Sequence, residues 1–250
     1  MMHPLQANDA RRLARLGGVL YLIIIVIGAL GESLIRGSIV VRGNATATAL
    51  NLRSMEWLWR LGVAGEGVLL VCTALLAVIL YVLLRPVHRD IALAAVVFNI
   101  VCIAIEGVAA VSLASALIPI SNPQAFQLLT PAQADAASML AIQSHSYGFG
   151  IALIFFGVEC VILGHLIIRS AYMPRAIGRL MQVAGVCYLL NSFALVLSPA
   201  LSNRLFPLIL MPSLLAELSF AIWLTVKGVR ADAWNQSAVR AERDRHRPTT

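Results

Sequence analysis

Residues 145–165 read HSYGFGIALIFFGVECVILGH. The stretch is long and apolar enough to cross a bilayer, because a helix needs roughly 20 residues to traverse about 30 Å of hydrocarbon. It nevertheless keeps Glu159 near its centre, with His145 and His165 at its ends. Its apolar length sets the fold class, and its carboxylate raises the functional question.

The whole chain has the same character. Of its 250 residues 60% are hydrophobic and 12% charged, whereas charged residues make up about a quarter of a soluble domain. With a mean hydropathy of +0.85, this reads as an integral membrane protein. The pI near 9.8 does not indicate nucleic acid, since the basic residues sit in short clusters beside apolar runs, without aromatic interleaving or a recognition motif. Such clusters are the positive flanks of membrane spans. Cys72, Cys102, Cys160 and Cys187 all lie inside apolar runs without metal or redox spacing, and read as small buried hydrophobes.

Six apolar segments are long enough to span, at about 16–35, 61–84, 91–118, 147–168, 176–197 and 207–226. None alternates with the period of a barrel strand. The expected fold is therefore all-α: a polytopic six-helix bundle, flanked by an N-terminal segment (1–15) and a basic tail (227–250). Lys and Arg near span ends are retained in the cytoplasm. The face shared by both termini and the second and fourth loops holds fourteen of the nineteen basic residues; Arg36, Arg42, Arg53, Arg60 and Arg204 are the five opposite. Both termini are thus expected in the cytoplasm, with the protein in a bacterial inner membrane. RRLAR ahead of an apolar run resembles a secretory signal, but the run is long and lacks A-x-A, so an uncleaved first span is expected. The end, RADAWNQSAVRAERDRHRPTT, is polar and shows no sustained apolar face, which suggests a frayed extension or disordered tail.

Two loops carry more than a connection. Residues 36–56 lead to Trp57 and Trp59, whose rings suit the membrane interface. Between 119 and 146, Asn122–Pro123 and Thr130–Pro131–Gln133 are helix-start signals, the second a capping box. Short helices are expected to form an outer cap at about 122–146. A helix running on from Pro131 to Arg169 would be about 58 Å long, so it must protrude or bend, and Gly148 and Gly150 are the expected bend.

Ionisable residues inside spans mark function by default, because insertion selects against them. Glu32, Glu66, Glu106, Glu159 and Glu217 qualify. Glu32 has Arg36 at i+4 as an ion-pair partner. Arg60 could snorkel to Glu66. Glu106, in the outer half of the third span, has no local cation; neither do Glu159 and Glu217, and lone midplane carboxylates like these two should be protonated or face polar groups or water. His145 and Glu159, fourteen residues apart, fall within about 40° on a continuous helix and can line one path, though separated by about 21 Å of rise. His165 points elsewhere and marks the inner interface. Asn99 shares a face with Glu106, and Tyr188 with Asn191. Gly107, Ala110, Ala114, Ser112, Ala116, Gly157 and Gly164 support close helix packing. Glu66, Asn99, Glu106, His145, Tyr147, Glu159, Tyr188, Asn191 and Glu217 are therefore candidates for lining an outward-opening polar cavity. The alternative is a set of separate interhelical hydrogen bonds.

The stretch HSYGFGIALIFFGVECVILGHLIIRSAYMPRAIGRLM, with Asn191-Ser-Phe, the opening ARLGGVLYLIIIVIG and the joint YVLLRPVHR, resembles a bacterial membrane family catalogued as domain of unknown function 4386. The likeness runs from about Arg12 to Lys227. It implies a multi-spanning inner-membrane protein, supplies no activity or cofactor, and singles out His145 and Tyr147 for testing.

Hydrolase, zincin and phosphate-loop motifs are missing. A membrane metal enzyme could draw a weak ligand set from Glu66, Glu106 and His145. A proton-coupled small-molecule or cation transporter could use Glu159 and Glu217. The expected function is binding or sensing of a small molecule or lipid in the polar cavity, with the lipid bilayer as surroundings and no nucleic-acid partner.

Overall fold

The computed structural model describes residues 7–121 and 129–245. Among these there is no strand. In chain order the elements are α1 (Ala7–Leu30), a π-helical segment (Gly31–Arg36), α2 (Gly37–Ile39), α3 (Ala45–Ser54), α4 (Glu56–Leu84), α5 (Arg89–Ser115), α6 (Ile118–Ser121), α7 (Pro131–Arg169), α8 (Arg175–Leu197), α9 (Pro199–Leu205), a 3-10 turn (Leu208–Leu210), α10 (Met211–Val226) and α11 (Ala231–Arg245). Six stretches of the described residues are long and apolar enough to cross a membrane: Asn8–Ile39, Glu56–Leu84, Arg89–Ser121, Pro131–Arg169, Arg175–Leu197 and Leu208–Val226. The protein is a multi-pass helical membrane protein.

Local chemistry sets several helix ends. Asn44 caps α3, its side chain accepting from Ala47 N at 2.9 Å. The capping box of α7 forms as its sequence dictates: Gln133 Oε1 accepts from Thr130 N at 2.8 Å, and Thr130 Oγ1 accepts from Gln133 N at 3.3 Å. The other expected start, Asn122–Pro123, lies outside the described residues. α7 then continues for 39 residues, and neither Gly148 nor Gly150 interrupts it. Gly148 serves packing, since a Cβ there would stand 2.9 Å from Ala109 Cβ. Residues 131–146 are thus the first turns of α7, not a separate short helix.

The helices divide into two compact units. One comprises the described residues of Met1–Leu22, Cys72–Cys102 and Leu153–Thr250. In it α7 and α8 meet at paired glycines. A Cβ on Gly164 would lie 2.5 Å from Gly178 O, and one on Gly178 would lie 2.6 Å from Gly164 O. Seven residues away on each helix, Gly157 and Gly185 repeat the contact, because two turns return a residue to the same face. α8 also packs along α10. Gly228, at φ 66°, closes α10 in the left-handed conformation that glycine adopts without strain.

The same unit corrects the reading of the C-terminal tail. Residues 231–245 form α11, and Trp234 is buried, its Nε1 donating to Leu83 O at 3.1 Å. Tyr172 OH donates to the same carbonyl at 2.7 Å, and the Arg230 guanidinium donates to Ala171 O. The covered stripe is Ala231, Trp234, Ser237, Ala238 and Ala241, at helical spacing. Small residues hide it from a reading that looks for large apolar ones. Burial holds the Tyr172 hydroxyl above the ordinary phenol range.

The second unit comprises Ile23–Val71 and the described residues of Ile103–Ala152. Its core contains Ile39, Leu52, Trp59, Leu113, Ala116, Leu117 and Ile142. Trp59 is a core residue at 1% exposure and donates from Nε1 to Leu113 O at 3.0 Å, so it is not the interfacial anchor its position suggests. Trp57, 77% exposed, faces outward. α3 is tied to α7 by Arg53 Nη2 and Asp135 Oδ1 at 2.8 Å.

Candidate functional site

Polar side chains from five spans gather inside the first unit: Tyr21 on α1, Asn99 on α5, Glu159 on α7, Tyr188 on α8 and Glu217 on α10. Asn99 is 3% exposed, Glu159 3% and Glu217 8%. Asn99 Nδ2 donates to Glu159 Oε2 at 2.7 Å. The Tyr188 hydroxyl donates to Glu217 Oε1, and the Tyr21 hydroxyl is a second hydrogen-bonding neighbour of Glu217. Each tyrosine is fixed by an edge-on aromatic partner, Tyr21 by Phe220 at 6.1 Å and Tyr188 by Phe156 at 5.2 Å between centroids. Both carboxylates act electrostatically on Cys160 and on Tyr21, so Glu159 and Glu217 share one neighbourhood. Among the described residues Glu217 is held by hydroxyl groups and not by a cation.

This interior leaves several buried polar atoms unmatched. Asn99 Oδ1 and Asn191 Oδ1 are buried without a hydrogen-bond partner, as is the Ser192 hydroxyl. Asn191 stands at i+3 from Tyr188, hence on its side of α8. One buried donor, Trp223 Nε1, is also unmatched; six residues beyond Glu217, it points about 120° away from that carboxylate. A small cavity of about 10 Å³ touches Glu159 and is otherwise bounded by Tyr81 and aliphatic side chains including Leu80, Leu163 and Leu166. That is about the space one water needs.

The remaining candidates belong to the second unit. Arg36 lies between two carboxylates, with Nε 2.6 Å from Glu32 Oε2 and Nη1 2.7 Å from Glu66 Oε1. The expected Glu32–Arg36 pair is therefore present, while Glu66 takes Arg36 and not Arg60. Arg60 pairs with Glu56 at 2.6 Å instead. The π winding of residues 31–36 departs from 100° per residue and so alters where Arg36 points. His145 is buried, stacks on Phe149 at 6.2 Å, and feels the charges of Arg36, Glu66 and Glu32. Glu106 lies within electrostatic reach of Glu66, not in Asn99's cluster. Tyr147 is 48% exposed. Among the described residues no three His, Cys, Asp or Glu side chains are placed to hold a metal ion, so Glu66, Glu106 and His145 do not form the ligand set considered from sequence. An open groove of about 500 Å³ is lined by Arg60, Val63, Ala64, Ala114, Leu117, Ile118 and Ser121.

Sequence reasoning missed Tyr21 and the neighbourhood of Cys160. Tyr21 is the one hydroxyl in the run LGGVLYLIIIVIG, a signal available but not used. Cys160 follows Glu159 directly, yet nothing in sequence spacing places Glu217 beside it.

Six spans and ionisable groups held inside a helical bundle define a polytopic membrane protein with a polar interior. The chain belongs to the family described as domain of unknown function (DUF4386), whose model matches residues 16–228. It is similar to an uncharacterized protein of Archaeoglobus fulgidus, 28% identical over 166 residues that make up 66% of this chain and 83% of the relative. No solved structure matches the chain.

Proposed function

We propose that this protein binds or senses a small molecule or lipid through the polar interior around Glu159 and Glu217, in a bacterial cytoplasmic membrane with both termini in the cytoplasm. The observation that carries the reading is the convergence of side chains from five spans on two buried carboxylates. Ionisable groups are expensive inside a bilayer and are retained there for ligands, ions or protons. The orientation rests on the fourteen-to-five division of basic residues. Native mass spectrometry of the detergent-purified protein tests the reading. A retained small molecule, lost in Glu217→Gln with the folded protein intact, is the expected result; a wild-type protein free of any adduct overturns it.

Proton-coupled transport is a second reading, favoured by one specific feature. Tyr188 and Asn99, both neutral donors, hold the two carboxylates, leaving each able to gain or lose a proton without breaking an ion pair to either donor. Proteoliposomes should then show pH-gradient-driven uptake that Glu159→Gln and Glu217→Gln abolish.

A further inference from the structure

We infer that the groove between α4 and the α5–α6 junction binds one zwitterionic phospholipid, with its phosphate on Arg60, its primary ammonium on Glu56 and an acyl chain along the apolar floor. The site belongs to the second unit and is independent of the polar interior around Glu159 and Glu217. Three observations support it. First, the groove lies where lipid headgroups lie. Its volume is about 500 Å³, within the range of small-molecule sites, about 300–1,000 Å³. Arg60 stands one turn inside Glu56, the first residue of its span, and Ser121 is the last residue of the next span, so the mouth is at a membrane edge. Trp57, 77% exposed, precedes Arg60 by three residues and shares its face of α4; an aromatic ring suits the headgroup level.

Second, the mouth carries one charge of each sign. Arg60 Nη2 and Nε donate to Glu56 Oε1 at 2.6 Å and 2.8 Å, and the Ser121 hydroxyl donates to the same oxygen at 3.3 Å. All three bonds use Oε1, which leaves Oε2 open to a further donor. The Arg60 side chain is 53% exposed and that of Glu56 37%, so an occupant meets a guanidinium and a carboxylate together. A lone phosphate would bring its charge against Glu56, and a lone amine would bring its charge against Arg60. A headgroup with both a phosphate and a primary ammonium satisfies the two at once.

Third, the floor is apolar and runs inward. Val63 and Ala64 line it from α4, with Ala114, Leu117 and Ile118 opposite. Deeper on the same face of α4, Gly67 is exposed, and a Cβ there would meet nothing within 4 Å. Glu56 to Gly67 is about 16 Å of helix rise, close to half of the roughly 30 Å hydrocarbon thickness, which suits one acyl chain descending one leaflet. An acyl chain gains nothing hydrophobic by exchanging lipid for protein, so the charged pair at the mouth decides which lipid is held.

The test is native mass spectrometry of the full-length, detergent-purified protein titrated with phosphatidylethanolamine, phosphatidylglycerol or phosphatidylcholine of identical acyl chains. Phosphatidylethanolamine should bind about tenfold tighter than phosphatidylglycerol, whose net charge meets Glu56, and than phosphatidylcholine, whose ammonium has no N–H. Arg60→Ala should weaken it about tenfold. Ala64→Leu, which fills the floor and leaves the charged pair alone, should weaken it as well. Glu56→Gln should turn the preference toward phosphatidylglycerol, and it keeps the test decisive should Arg60→Ala fail to fold. The phosphatidylethanolamine adduct should persist in Glu217→Gln, which separates this site from the interior one. Equal binding of the three lipids overturns the inference, and so does an unchanged preference in both Arg60→Ala and Glu56→Gln. An adduct lost only in Glu217→Gln assigns the lipid to the interior, and a lipid-free dimer gives the groove to a second copy; either result overturns it.

Discussion

Gly164 shows how little room the first unit has. A Cβ there meets backbone, Gly178 O at 2.5 Å and Gln182 N at 2.9 Å, as well as Gln182 Cγ at 2.7 Å, so the helices must separate. Gly164→Leu should lower stability by about 2–3 kcal/mol through overpacking, read as a lower unfolding midpoint, whereas Gly107→Ala, with its nearest contact at 4.0 Å, should be nearly neutral. Arg36 is the other decisive residue. Arg36→Met leaves Glu32 and Glu66 without their shared cation, and breaking a largely buried pair costs about 3 kcal/mol; Arg36→Met combined with Glu66→Met should recover much of that loss. If the double variant is no better than the single, Arg36 and Glu66 are not coupled. Half of this ion-pair network was legible in the sequence: Glu32 and Arg36 are four apart on one helix. Glu66 was not, because its partner lies on another span and a π segment changes the register before Arg36.

At the scale of elements, α11 and the turn at Tyr172 form a clasp on one carbonyl, Leu83 O. Trp234→Ala should release α11 and speed tryptic cleavage after Arg240 and Arg243, leaving the spans intact; an unchanged digestion rate would mean the docking is not what orders the helix. Tyr172→Phe removes one hydrogen bond, worth about 1 kcal/mol, and carries a pH signature. The folded phenol titrates above its unfolded value of about 10, so its contribution is complete below that pH and is lost as pH rises through and beyond it. The wild-type midpoint should therefore fall more steeply than that of Tyr172→Phe between pH 9 and pH 11, on the order of a few degrees. Spans were readable at this scale because their length and apolarity are local properties. The helical tail was not, since its inward stripe is a single buried tryptophan among half-buried alanine and serine. Trp59 misled for a related reason: an aromatic at a span end serves the interface or the core equally well, and only the packing of Leu113 against it decides.

At the scale of the whole molecule, the account turns on two carboxylates in one neighbourhood. The sequence supplied Glu159 and Glu217 as candidates through their midplane depth and lack of a local cation, and it grouped Glu106, in the outer half of its span, with them by the second criterion alone. Convergence depends on which face each helix turns inward, a tertiary property: Glu159 and Glu217 share Cys160 and Tyr21, and Glu106 belongs beside Glu66. The most direct test is infrared difference spectroscopy of the carboxyl C=O stretch across a pH titration, comparing wild type, Glu159→Gln, Glu217→Gln and the double variant. The two carboxyls share Tyr21 and Cys160 as neighbours, so removing either glutamate should shift the carboxyl band of the other. Two bands that merely add, each unchanged by loss of its neighbour, would contradict the shared site.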